Sequence, residues 1–135
     1  MELIDIFENW KRDAQLDLRL ADDVVADRDW DGVVFHSQQA LEKLAKGIVG
    51  YYNDGEIPFM HDLETIIDIF GDKLAERLSE ERLEVLAKLS IFYLEERYPV
   101  FIGQKLIYDD TLALYLLGQT KEIFQWLLKS LPPIR

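Results

Sequence analysis

The sequence predicts an all-α protein, an up-down four-helix bundle with a short additional helix between its two pairs. Three observations carry this. Apolar residues recur at three- and four-residue spacing through five segments, helix-breaking or capping residues separate those segments, and no alternating apolar–polar run of strand length competes. The 135 residues are expected to form one domain, 1–135, long enough to bury a core without disulfide or metal staples.

The first helix is predicted from about Ile4 to Asp27, with Leu3, Phe7, Trp10, Ala14, Leu18, Ala21 and Val25 on one face. Arg28-Asp29-Trp30-Asp31-Gly32 interrupts it. Asp29 suits an N-cap, and Asp31 is favourable in the first turn of the second helix, Trp30 to Tyr52. That helix presents Val34, Gln38, Leu41, Ala45, Ile48 and Tyr52, and Asn53-Asp54-Gly55-Glu56-Ile57-Pro58 stops it. A short third helix starts near Asp62 and carries Leu63, Ile66, Ile67, Phe70 and Leu74. Ser79-Glu80-Glu81 caps a fourth, with the line Leu83, Leu86, Leu89 and Tyr93. It ends at Arg97-Tyr98-Pro99, because proline disfavours helical geometry in the residue before it. A loop from Val100 to Tyr108 leads to Asp109-Asp110, the cap of a last helix from about Thr111 to Ser130. Its apolar line is Leu112, Leu116, Ile123 and Trp126.

Composition narrows the chemistry. The absence of cysteine excludes disulfides, thiolate metal sites and a cysteine nucleophile, and fits a reducing compartment. With no signal-peptide pattern and no apolar run long enough to span a membrane, a cytoplasmic protein is expected. Fifteen Lys and Arg against 26 Asp and Glu give a formal charge of −11. An RNA backbone would be repelled at long range, so an extended nucleic-acid surface is not expected, whereas a local phosphate pocket is compatible. Glu-x-x-His pairs for a di-iron site, both common phosphate-loop motifs and a basic recognition helix are all missing. No cofactor, metal site or catalytic residue is assigned.

Three local features remain. On the second helix His36, Gln39, Lys43 and Lys46 share one stripe, a candidate phosphate or acidic-partner surface; the plainer reading is a solvated face balancing neighbouring acids. Gln38 falls on the apolar seam, where a buried amide must find partners. His61 lies just outside the third helix, whose N-cap would be Asp62. Arg97 ends the fourth helix, favoured there by the helix dipole. It also continues the line of Leu86, Ser90 and Tyr93 toward the bundle interface, where it would need an anionic partner.

Taken together, Trp10, Ala14, Asp17-Leu18, Phe35, Gln38-Gln39-Ala40-x-Glu42-Lys43-x-x-Lys46, His61-Asp62-Leu63 and Arg97-Tyr98-Pro99 resemble the HEPN family (higher eukaryote and prokaryote nucleotide-binding domains) of the prokaryotic stand-alone type. The resemblance implies a bundle that forms a homodimer. It also implies frequent pairing with a small nucleotidyltransferase protein, often as a toxin–antitoxin module, and roles in nucleotide or RNA handling. Gln39, Lys43, Lys46, His61 and Arg97 become the candidate nucleotide- or phosphate-binding residues. Many members are metal-independent ribonucleases marked by an Arg and a His with four to six residues between them. Here Ile102, Gly103 and Gln104 occupy the positions for that histidine. The sequence therefore points to a nucleotide-binding or partner-binding module. The alternatives are a ribonuclease toxin with a degenerate active site, using His36 or His61, and a purely structural dimeric scaffold.

Overall fold

The structure is a computed structural model that describes residues 2–97 and 108–134, with side chains described for 2–93 and 108–134. It is an all-helical bundle of α1 (Leu3–Ala26), α2 (Trp30–Tyr52), a short α3 (Leu63–Ile69), α4 (Glu80–Arg97) and α5 (Asp110–Ser130). A single 3-10 turn, Gly71–Lys73, follows α3. No strand occurs among the described residues. The predicted boundary at Tyr98-Pro99 and the loop from Val100 to Ile107 lie outside them.

The helix starts follow from their capping residues. Asp29 accepts the Gly32 N–H at 3.0 Å, Ser79 Oγ accepts the Arg82 N–H at 3.2 Å, and Asp109 accepts the Leu112 N–H at 2.8 Å. Each satisfies a donor that a helix cannot pair internally. The third helix departs from expectation. Asp62 occupies the N-cap position, but its carboxylate takes the Thr65 hydroxyl, and the Leu63 N–H is instead met by Ser90 Oγ of α4 at 3.2 Å. That cap comes from another element, which no local spacing could reveal. The helix also stops at Ile69, short of Leu74.

The second helix is the centre of the molecule. It packs against α1, α3, α4 and α5, and every residue from Leu44 to Gly50 is buried. Its partnership with α1 is the most extensive, and at Gly47 the two helices are in close contact. A Cβ at Gly47 would stand 2.6 Å from Cβ of Trp10, which is anchored to the α1 backbone and cannot swing away. The chain leaves α2 through Asp54 and Gly55, both at positive φ (52° and 85°), with the Gly55 N–H returning to the Gly50 carbonyl at 2.8 Å. Asparagine, aspartate and glycine tolerate that conformation best, which is why breaker residues stand there.

The core draws side chains from all five helices, with Phe70, Phe124, Leu41, Leu44, Ile48 and Leu86 among the largest fully buried ones. Two helix faces differ from those predicted. On α4 the buried residues include Val85, Leu86, Leu89 and Phe92 while Leu83 is exposed, and on α5 Ala113, Leu117, Phe124 and Leu127 join Leu116 and Ile123. Apolar residues occur all round both helices, so spacing alone does not select the inward face. At the surface Arg82 lies over the Trp126 ring at 4.8 Å, joining α4 to α5, and Lys121 reaches Asp22 at 2.7 Å, joining α5 to α1.

Substituting Gly47→Val should force α1 and α2 apart and cost about 1–3 kcal/mol, the usual range for overpacking. A urea melt should show a lowered midpoint; an unchanged midpoint would mean that the helices separate freely at this crossing.

Candidate functional site

Helical geometry places positions 36, 39, 43 and 46 on one flank of α2, as the spacing requires, but the flank is not an open cationic stripe. Two buried carboxylates divide it between them. Asp17, 5% exposed and projecting from α1, stands between the first pair. Its Oδ1 lies 2.9 Å from His36 Nδ1, and its Oδ2 lies 2.7 Å from Lys43 Nζ, an ion-pair contact rather than an aligned hydrogen bond. Glu42, 6% exposed, organises the second group from α2 itself. Its carboxylate accepts from Gln38 Nε2 at 2.9 Å, from Lys46 Nζ at 3.2 Å and from His61 Nδ1 at 3.2 Å. Gln39 extends the chain by donating to Gln38 Oε1 at 2.7 Å.

Burial explains why these groups converge. A carboxylate withdrawn from water without partners is costly, and charge-assisted donors offset much of that cost. Gln38, which the sequence places on the apolar seam, meets the requirement in full: its amide donates to Glu42 and accepts from Gln39. Because a carboxylate only accepts, the Nδ1 of each histidine carries the proton in both bonds, leaving Nε2 as the basic nitrogen of the neutral ring. This is the arrangement that general bases use, a ring fixed in tautomer and orientation by a buried acid.

The two clusters share one plan: carboxylate, histidine bonded through Nδ1, lysine, and an exposed phenylalanine edge-on to the imidazole. Phe35 meets His36 at 5.1 Å between centroids, and Phe59 meets His61 at 5.6 Å. The His61 ring is further stacked on Tyr93 of α4 at 4.5 Å, with 23° between the planes. The loop after α2 thus delivers His61 onto the polar flank of that helix while α4 backs it.

Of the predicted ligand-binding residues, the structure brings Gln39, Lys46 and His61 together around Glu42 and holds Lys43 on Asp17 one turn away. Lys43 is partly open, with a side chain 32% exposed, whereas Lys46 is largely buried. The Arg97 side chain lies outside the described residues. The plainer reading of the stripe, a solvated face balancing neighbouring acids, needs correction. The acids are present, but they are the buried Asp17 and Glu42. Asp17, Glu42 and Phe59 are the participants that sequence reasoning did not single out as site residues. The seam of Ala14, Asp17 and Ala21 at helical spacing was the available signal for Asp17, since an acid on an apolar face needs a cation opposite.

A cavity of about 700 Å³ opens between α3 and the start of α4, lined by Asp62, Glu64, Asp68, Asp72, Glu76 and Arg77 among others. Five carboxylates facing one guanidinium make it unsuited to an anion. Burial, and then the neighbouring Asp62, hold the Glu64 carboxyl above its usual range. Among the described residues no group of His, Cys, Asp and Glu is arranged to hold a metal ion, and no helix is long and apolar enough to cross a membrane.

An all-helical bundle whose central helix carries a buried polar flank is the class of protein in hand. The HEPN domain family model matches residues 7–131, and the chain belongs to the HEPN domain family. Among solved structures it is similar to TT1696 from Thermus thermophilus, with a TM-score of 0.70 and 23% identity over 93% of this chain and 98% of that one. At that identity the likeness speaks for the fold alone. No curated protein matches the sequence.

Glu42→Ala should cost about 3–5 kcal/mol, because it strands Lys46 in a largely buried position with no carboxylate. Asp17→Ala should cost less, since the partly open Lys43 can turn its ammonium toward water. Paired urea melts check the order; equal losses would mean that burial of the lysine does not set the cost.

Proposed function

We propose that this protein is a nucleotide-binding or nucleotidyltransferase-partner module of a two-component, toxin–antitoxin-like system, acting as a cytoplasmic homodimer of a single helical domain. The observation that carries the reading is the convergence of Gln39, Lys43, Lys46 and His61 on one flank of a central helix in a strongly acidic chain. Phosphate or acidic groups of a ligand would meet the ammonium groups of Lys43 and Lys46 and the donors of Gln39 and His61 there. Buried carboxylates hold the lysines and His61 in fixed positions, so less side-chain freedom is lost on binding. Arg97, at the end of the helix that backs His61, completes the proposed set. Family membership supports this reading, because HEPN domains often dimerise, and the sequence lacks a histidine separated from Arg97 by four to six residues.

Calorimetric titration with ATP, GTP and their diphosphates tests it. Binding is expected, and Lys43→Ala or Arg97→Ala should each weaken it roughly tenfold, the equivalent of one charge-assisted hydrogen bond. Affinity untouched by both changes would remove the site assignment. If no nucleotide binds but a nucleotidyltransferase co-purifies from the native host, the partner half of the reading stands alone.

One observation favours a second reading. Asp17 and His36 at 2.9 Å have the geometry of a base oriented by a buried acid, as do Glu42 and His61, and either pair could serve a ribonuclease with an altered active site. Incubation with labelled RNA in the presence of a chelator decides it. Cleavage lost in His36→Ala or His61→Ala would support the ribonuclease, whereas cleavage retained in both variants would rule it out.

A further inference from the structure

Phe59 is 97% exposed, while every other exposed large apolar side chain among the described residues lies between 40% and 46%. Its neighbour Met60 packs against the core, so the loop turns one side chain in and holds the phenyl ring out. The ring stands edge-on to His61, 5.6 Å away at 73°, and His61 in turn lies on Tyr93. Three aromatic rings therefore stand in series, Phe59 edge-on to His61 and His61 stacked on Tyr93, beside Glu42 and Lys46, the polar half of the candidate site.

An aromatic face left in water beside fixed cations and amides matches a ligand that is itself half flat ring and half polyanion. We infer that Phe59 is the surface on which the base of a bound nucleotide stacks, with His61 and Gln39, both part-exposed, beside it for the phosphate and polar groups. This rests on the nucleotide-binding reading above and adds the element that would recognise the base. Stacking on an aromatic side chain tolerates any base, since every base has a π-face, so adenine and guanine nucleotides should bind alike. A partner protein burying Phe59 in an apolar pocket would have no need of the adjoining histidine and amide. That difference favours a nucleotide.

The test compares the full chain with F59L and F59W, titrated calorimetrically with ATP, GTP and inorganic tripolyphosphate. F59L should weaken ATP and GTP at least tenfold and leave tripolyphosphate unchanged, while F59W should retain nucleotide affinity. In F59W the added indole emission, measured against the wild-type background of three tryptophans, should be quenched by ATP and not by tripolyphosphate. Because Phe59 is exposed, both variants should melt as the wild type does. ATP affinity unchanged in F59L overturns the inference, and so does an equal loss for ATP and tripolyphosphate. If the wild type binds tripolyphosphate as tightly as ATP, the phosphate reading stands and base stacking fails; if it binds neither, both fail. Loss of a co-purifying protein from F59L, with nucleotide affinity intact, would make Phe59 a protein anchor and overturn the inference.

Discussion

Two carboxylates buried against the central helix are the constraint around which the polar half of this molecule is arranged. Asp17 and Glu42 have each given up most of their hydration, and withdrawing a carboxylate from water is costly without donors close by. Asp17 projects from α1, and the partners of the two acids are supplied from two places: the flank of α2 and the loop that follows it. Satisfying the two acids therefore fixes how α1 lies along α2 and where His61 comes to rest. The contacts from Asp17 to His36 and Lys43 tie α1 to α2 at two points on that flank.

Close approach makes that arrangement accessible. Gly47 leaves room for Cβ of Trp10 to settle directly against α2. Further along the same pair, Asp17 comes within reach of two α2 side chains seven residues apart. Ser90 plays a comparable part at the other end, capping α3 from α4 and so holding the start of the helix that His61 precedes. Shape, caps and charge pairing converge on the placement of one loop.

The consequence for chemistry is a pair of preorganised clusters rather than a pool of mobile surface cations. A lysine held against a carboxylate presents less net charge than a free one, but it also has less freedom to lose when a ligand arrives. A histidine whose Nδ1 is bonded to a buried acid offers one defined nitrogen for further use. Both properties suit recognition of a small anionic ligand, and both suit proton transfer, which is why the nucleotide and ribonuclease readings meet on the same residues. The family is settled by the match over residues 7–131; the choice between activities turns on what binds.

The helices, their order and most of their ends were legible in the sequence, because 3.6-residue periodicity, capping aspartates and serines, and glycine-containing breaks act over a few residues. Family membership was legible in the same way, through Gln38-Gln39-Ala40-x-Glu42-Lys43 and His61-Asp62-Leu63. The inward faces of α4 and α5 were not, since apolar residues surround both helices and only packing chooses among them. Nor was the pairing of the stripe. Sequence spacing put His36, Gln39, Lys43 and Lys46 on one flank of a helix, a matter of local geometry. Asp17 is nineteen residues from His36, and His61 nineteen from Glu42, and nothing local specifies either contact. Tertiary structure decided them, because an acid that is harmless on an exposed helix must find a cation once that face is buried. The fold class and the candidate cations belong to the sequence; their division between Asp17 and Glu42 belongs to desolvation.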